Sequence, residues 1–167
     1  MPNRGYMLAG VVLVLDQISK YWVMNVIRLP DSGGMDVLAF FRLTFVGNAG
    51  VSMGLLPAGS DLARWLLTFV TAGIALAVAF WLRREKHVVD IAALGLVLGG
   101  AIGNIIDRVR FGYVVDFLHF FWQQYSFYVF NLADAAITLG VILLLARAVF
   151  APSDSAKPAT DGKANDA

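Results

Sequence analysis

The chain has 167 residues, 59% of them hydrophobic, with 13 Lys+Arg against 12 Asp+Glu for a formal net charge of +1. Soluble domains average about 45–50% apolar and about 25% charged residues, so this composition argues against a disordered chain, a nucleic-acid binder or a disulfide scaffold. The absence of Cys removes thiol catalysis, thiolate metal sites and redox switching together.

In chain order, four windows predict membrane helices. The first is Tyr6–Ile27, interrupted by Asp16, Gln17, Ser19 and Lys20. Its apolar stretch continues past Lys20 with no small-residue cleavage site after it, so it does not read as a cleavable signal peptide. The second, Trp65–Leu82, carries no charge, and the third, Val88–Ile106, carries only Asp90. The fourth is Phe127–Ala146, with Asp134 inside it. At about 1.5 Å rise per residue each window matches a hydrocarbon core about 30 Å thick.

Four spans place both termini on one side. That side holds Arg4, Arg83, Arg84, Lys86, Arg147, Lys157 and Lys163, and the other holds Arg28, Arg42, Arg64, Arg108 and Arg110. Positive residues favour the cytoplasm, so both ends are expected inside. The outer segment 28–64 is longer than an idle connection. Within it, Phe41-Arg42-Leu43-Thr44-Phe45 alternates apolar and polar and predicts a short strand. The outer segment 107–126 is dense in aromatic residues (Phe117, Phe120, Phe121, Trp122, Tyr125) suited to the headgroup level. The tail 151–167 is rich in Ala, Ser, Pro, Asp and Lys without periodicity, and is expected to be disordered. Gly95, Gly99 and Gly103 repeat every four residues, a ridge over which another helix can approach closely.

An acid at mid-membrane costs about 2.5–3.5 kcal/mol on insertion scales and marks a functional candidate. Asp16 has a local explanation, because Lys20 lies four residues on and can pair with it. Asp116, inside Val114-Val115-Asp116-Phe117, and Asp134 have no such partner. If the segment between them folds back, the two meet near the outer surface and share one proton. An ionised and a protonated carboxyl together suit amide hydrolysis. An ion or proton relay is the competing use of the same acids. Asn104, Asp107, Arg108 and Asn131 flank the pair: Asn104 and Arg108 are four apart, and Asn131 and Asp134 are three apart. Arg108 could hold an acid or a lipid phosphate. A serine hydrolase is the second rival, since Gly50-Val51-Ser52-Met53-Gly54 fits G-x-S-x-G. The chain is too short and too apolar to build the large sheet that motif needs. With one Glu, no Cys and no H-E-x-x-H, zinc proteolysis is a weaker reading still.

Asp16-Gln17-Ile18-Ser19-Lys20, Asn48-Ala49-Gly50, Gly99-Gly100-Ala101-Ile102-Gly103-Asn104-Ile105-Ile106-Asp107-Arg108, Val114-Val115-Asp116-Phe117 and Phe130-Asn131-Leu132-Ala133-Asp134 occur in that order. The series, from about residue 16 to 140, resembles the lipoprotein signal peptidases, the bacterial signal peptidase II family. The resemblance implies an all-α membrane fold of four transmembrane helices, with a small extracytoplasmic β-cradle and a lid loop. It implies an intramembrane aspartyl endopeptidase without a cofactor, in the bacterial inner membrane. Such an enzyme cleaves prolipoproteins just before a diacylglyceryl-modified cysteine. Asp116 and Asp134 match the catalytic pair. Asn48, Gly50, Asn104, Arg108 and Asn131 match substrate-pocket positions, and Asp16 and Lys20 a supporting polar pair. Prolipoproteins, membrane lipids and globomycin-type inhibitors are the implied partners, with no nucleic acid. Where the family usually reads Asn-Thr-Gly-Ala-Ala-Phe, this chain reads Asn48-Ala49-Gly50-Val51-Ser52-Met53. Ser52 thus replaces a small apolar residue, which makes the G-x-S-x-G match accidental.

Overall fold

A computed structural model of the protein describes residues 1–50 and 61–150. Helix α1 (Pro2–Tyr21) starts with proline in its first turn, where a missing N–H costs nothing. It runs on through one π-helical turn, Trp22–Val26. A short α2 (Leu29–Ser32) leads into strands β1 (Met35–Leu38) and β2 (Phe41–Asn48). Helices α3 (Asp61–Arg84) and α4 (Val88–Phe111) follow. Strands β3 (Val114–Trp122) and β4 (Tyr125–Ser126) precede the last helix, α5 (Leu132–Phe150). Four of the helical stretches, Pro2–Val26 and α3, α4 and α5, are long and apolar enough to cross a membrane.

Helix α4 is central. In its most apolar stretch 61% of residues are buried inside the protein, against 17% in α3 and 17% in α5. The unburied faces of α3 and α5 therefore present apolar side chains outward, as a lipid solvent requires. The glycine ridge explains how α1 gets so close: a methyl at Gly95 would lie 2.6 Å from the Gly5 carbonyl oxygen, and one at Gly103 would lie 2.5 Å from the Asp16 carboxylate. Ala9, Ala75, Leu82, Ile91, Leu94, Leu98 and Ala101 form the buried core between these helices. At the end away from the sheet, Arg147 pairs with Asp90 at 3.1 Å, tying α5 to α4.

The four strands form one antiparallel meander in the order β1-β2-β3-β4. Helix α4 ends at Gly112, whose φ of 84° is left-handed and whose N–H reaches the Arg108 carbonyl at 3.1 Å. A glycine there reverses the chain without a Cβ penalty, and β3 begins two residues later. Along β3, Val115 and Phe117 face inward and pack with Val23, Leu29 and Leu43. By the two-residue period, Asp116 faces the other way.

The helices run a few residues past most of the expected ends, with α1 from Pro2, α3 over Asp61–Arg84 and α5 to Phe150, and three further departures bear on the site. Helix α4 extends to Phe111 rather than Ile106, so Asp107 and Arg108 lie in its last turns and not in a loop. The last helix starts at Leu132 rather than Phe127, because 127–130 turns back along β3. Phe117 and Leu118 donate to the Phe130 carbonyl at 3.1 and 2.8 Å, and Phe130 donates to Leu118 at 3.0 Å. Hydropathy cannot separate an aromatic strand return from the head of an apolar helix. The strand expected at 41–45 runs on to Asn48. The expected disordered tail, and Val51–Gly54 of the G-x-S-x-G segment, lie outside the described residues.

Candidate active site

Five of the expected site residues meet where α4, β2, β3 and α5 converge. Asp116 on β3 is 1% exposed. Its Oδ2 accepts a hydrogen bond from Asn48 Nδ2 at 2.9 Å, and its Oδ1 one from Asn131 Nδ2 at 2.7 Å. The β2–β3 register produces the first contact. Val46 opposes Asp116 and Asn48 opposes Val114, so Asn48 is the diagonal same-face neighbour of the acid. Asn48 is itself held by the Gly50 N–H, which donates to its Oδ1 at 2.8 Å. Gly50 has φ of 79°, and a methyl on it would meet Leu67 at 2.6 Å. Both facts favour glycine.

Asp134 is half-buried in the first turn of α5. It forms a capping box with the residue before that helix: its backbone N–H donates to Asn131 Oδ1 at 2.9 Å, and its Oδ2 accepts from the Asn131 N–H at 3.3 Å. Its Oδ1 accepts from Asn104 Nδ2 at 2.7 Å. Asn131 therefore bridges the two acids, with its side-chain amide on Asp116 and its backbone on Asp134.

The direction of these amides is set from below. Lys20 Nζ donates to Asn104 Oδ1 at 3.2 Å, and Asn131 Nδ2 donates to the same oxygen at 3.2 Å. With its oxygen held by two donors, Asn104 turns its N–H to Asp134. Lys20 also pairs with Asp16 at 2.9 Å and with Asp107 at 2.7 Å, so its three ammonium donors each have an acceptor. Asp16 and Asp107 are fully buried and Lys20 is 3% exposed. A buried ion group of this kind survives only when every member is satisfied. The Asp16–Lys20 pair expected from the i,i+4 spacing is present, but it belongs to a larger group. Sequence reasoning noted Asp107 only as a neighbour of the acids and gave Gln17 no role; the Gln17–Asp107 and Lys20–Asp107 contacts join distant parts of the chain and arise only once α1 lies against α4.

Burial pushes the Asp116 carboxyl up to about 6; the Asp134 charge adds to the rise, and the Asn48 and Asn131 hydrogen bonds oppose it. The rise is chiefly the cost of charging a carboxyl out of water, with the like charge of Asp134 a smaller contribution in the same direction. Arg108 makes no ion pair among the described residues, and its buried Nε has no hydrogen-bond partner there. Its charge nonetheless acts on Asp134, Asp116 and Asp107. The acids open on different spaces. Asp116 lines a cavity of about 540 Å³ with Asn48, Gly50, Ser126 and Tyr128. Asp134 lines one of about 500 Å³ on the outside of α5, with Phe130, Leu139 and Ile142. His119, the histidine on the sheet side, is engaged by Thr44 at 3.1 Å and Ser126 at 2.6 Å. No group of three or more potential metal ligands occurs among the described residues.

Fold and site together define a multi-pass membrane enzyme with one buried and one half-buried carboxyl at one end of its helix bundle. Comparison with known proteins gives the particular family: residues 8–150 match signal peptidase (SPase) II. A lipoprotein signal peptidase of Rhizorhabdus wittichii is 53% identical over 87% of this chain and 85% of its own length. One of Sphingopyxis alaskensis is 45% identical over 94% of both chains. A solved structure, described as a bacterial membrane enzyme obtained by the in meso method, aligns with a TM-score of 0.77 and 29% identity. That alignment covers 90% of this chain and 95% of the other. The chain belongs to the signal peptidase II family and is a protease that removes signal peptides from prolipoproteins.

Proposed function

We propose that the protein cleaves by an aspartyl mechanism, with Asp116 and Asp134 as the catalytic pair, and that the bond it cuts lies just before a diacylglyceryl-cysteine. The observation that carries this reading is the bridge through Asn131. One residue holds both acids, each carboxylate oxygen has a donor, and Asp116 is raised toward neutrality by burial. Such a pair holds one proton between its two members.

The ionised member takes a proton from a water molecule as the water oxygen attacks the scissile carbonyl. The protonated member gives its proton to the carbonyl oxygen, and a tetrahedral diol forms. On collapse the C–N bond breaks, and the carboxyl that gained the water proton passes it to the leaving nitrogen. The other recovers the proton of the diol hydroxyl, so the pair ends with the single proton it began with. Asn104 and Asn131 hold the acids in place, and Asn48 and Gly50 border the cavity on which Asp116 opens. Arg108, without an ion pair among the described residues, supplies a positive charge beside them, suited to a developing oxyanion or a lipid phosphate.

The site sits where helix bundle meets sheet. A signal helix entering with its N-terminus inside delivers its scissile bond near the outer interface, so this end faces outward across the bacterial inner membrane and both termini are cytoplasmic. The acyl chains of the substrate stay in lipid alongside the apolar groove below Asp134. The test is cleavage of a diacylglyceryl prolipoprotein by purified protein carrying Asp116→Asn or Asp134→Asn. Both variants are expected to be inactive, and normal turnover by either one refutes the mechanism. A globomycin-type inhibitor is expected to block the wild-type reaction.

A further inference from the structure

The lower layer of the polar network contains a carboxylate that the proposed mechanism does not use. Asp107 is fully buried near the end of α4. Its Oδ2 accepts from Lys20 Nζ at 2.7 Å and from the Val115 backbone N–H at 3.0 Å. Its Oδ1 accepts from Gln17 Nε2 at 3.1 Å. Asp16 repeats the arrangement on the other side. Its Oδ1 accepts from the Ala133 backbone N–H at 3.0 Å, and its Oδ2 from Lys20 at 2.9 Å and Gln17 at 3.2 Å.

Val115 immediately precedes Asp116, and Ala133 immediately precedes Asp134. Each acid of the pair therefore follows, by one residue, a backbone N–H tied to a buried carboxylate. The two buried carboxylates share one ammonium and one amide. The strand bearing one acid and the helix bearing the other come from distant parts of the chain, yet both are referenced to a single point on α1. Resting on the reading of Asp116 and Asp134 as catalytic, we propose that Asp107 is a positioning residue. Together with Asp16, and through Lys20, it fixes the spacing between the two catalytic carboxyls.

Charge explains why this clamp suits a hydrolytic pair. A carboxylate bonded to a backbone N–H makes a short, directional contact, and both clamps here are out of reach of water. A placement error of about 1 Å at reacting groups costs on the order of a hundredfold in rate. Gln17 and Lys20 donate to both carboxylates, so the two clamps form a unit and not two independent anchors.

The experiment measures cleavage of a diacylglyceryl prolipoprotein by full-length enzyme purified in detergent, scaled to the folded fraction. The variants are Asp107→Asn, Asp16→Asn, their double and Asp116→Asn. Asp107→Asn keeps the size of the side chain but removes one of the two counter-charges of Lys20, leaving Asp16. Its kcat is expected to fall about ten- to a hundredfold with KM within about twofold of wild type. Because the clamps share Lys20, the double variant is expected to lose little beyond the worse single one. Unchanged kcat per folded enzyme, or losses that multiply, overturns the proposal. Should Asp107→Asn yield too little folded protein, Asp107→Glu keeps the charge and moves the carboxylate by one methylene. It is expected to fold and to lose kcat, and full kcat or failure to fold overturns the assignment. Asp116→Asn separates the two readings: cleavage by that variant breaks the catalytic assignment itself, whereas an inactive Asp116→Asn beside a fully active Asp107→Asn breaks only the positioning role.

Discussion

The two acids of the site are constrained by opposite means. Asp134 is held locally: a helix begins at Leu132, and the residue before it closes a capping box with the acid three positions on. Asp116 is held by partners 15 and 68 positions away in sequence, on the head of α5 and the end of β2. The first acid is half-buried and borders an apolar groove, while the second is almost wholly enclosed. Two carboxyls of one residue type thus acquire different surroundings because one belongs to a helix start and the other to a strand register.

The largest expected effects test whether the pair acts as one. Asp116→Asn and Asp134→Asn are each expected to lower kcat at least about a thousandfold, since residues that act as a unit are lost together. Stability then separates them. Asp134→Ala removes the acceptor of a capping box and is expected to cost about 0.5–2 kcal/mol, read as a lower thermal midpoint in detergent. Asp116→Asn removes a buried acid whose ionisation burial opposes, and its thermal midpoint is expected not to fall. If Asp116→Asn unfolds more readily than Asp134→Ala, the contrast between a local and a long-range hold is reversed.

The same contrast explains what could be read from the chain. Asn131 and Asp134, three apart, are expected on one helix face, but the capping box they close is not legible there, because apolarity carries the expected helix back to Phe127. The Asp16–Lys20 pair does follow from i,i+4 spacing. The four spans were likewise visible, since lipid demands long apolar segments. Asp116 stood out as an acid among apolar neighbours, but nothing local gives it Asn48: that contact needs the β2–β3 register, including the irregularity between Leu43 and Val46. Asp107 was hidden for the same reason, because its partners Gln17, Lys20 and Val115 assemble only when α1 crosses α4 at the glycine ridge. The aromatic return at 127–130 misled hydropathy, which reports apolarity without direction of chain.

A second, smaller effect comes from the cation below both acids. Lys20→Met leaves Asp16 and Asp107 buried without their counter-ion, a change that typically costs about 3–5 kcal/mol. It also leaves Asn104 Oδ1 with Asn131 Nδ2 as its one remaining donor, which loosens the amide that donates to Asp134. Thermal unfolding and kcat are both expected to fall, kcat by roughly a hundredfold. Retention of normal kcat in the folded fraction would mean that Asn104 and Asn131 orient themselves without Lys20.

The long-range side of the comparison has a pH signature. Asp116 titrates near 6, and Asn48 donates a hydrogen bond that favours its charged form. Deleting that donor with Asn48→Ala makes the charged form less favourable, so the proton is held to higher pH. The limb of the kcat/KM profile near pH 6 is expected to move alkaline by about one pH unit, the worth of one hydrogen bond to a charged group. A limb that stays in place, or moves acid, would detach Asn48 from the titration. The limb belongs to the coupled pair rather than to Asp116 alone, so the direction of its movement is the informative quantity.

The smallest expected effect falls on Ser52, outside the described residues but inside the G-x-S-x-G segment. A serine mechanism would need a base, and the ring of His119, the histidine on the sheet side, is already shared between Thr44 and Ser126. Ser52→Ala replaces the hydroxyl with a small apolar side chain and leaves the partners described for both acids in place. Its kcat and KM are expected to stay within about twofold of wild type. A loss greater than about tenfold, in the same assay in which Asp116→Asn and Asp134→Asn remained active, would transfer the reaction from the carboxyl pair to the serine. If instead Ser52→Ala is silent and both Asn variants are inactive, the hydroxyl takes no part in a reaction whose chemistry lies between β3 and α5.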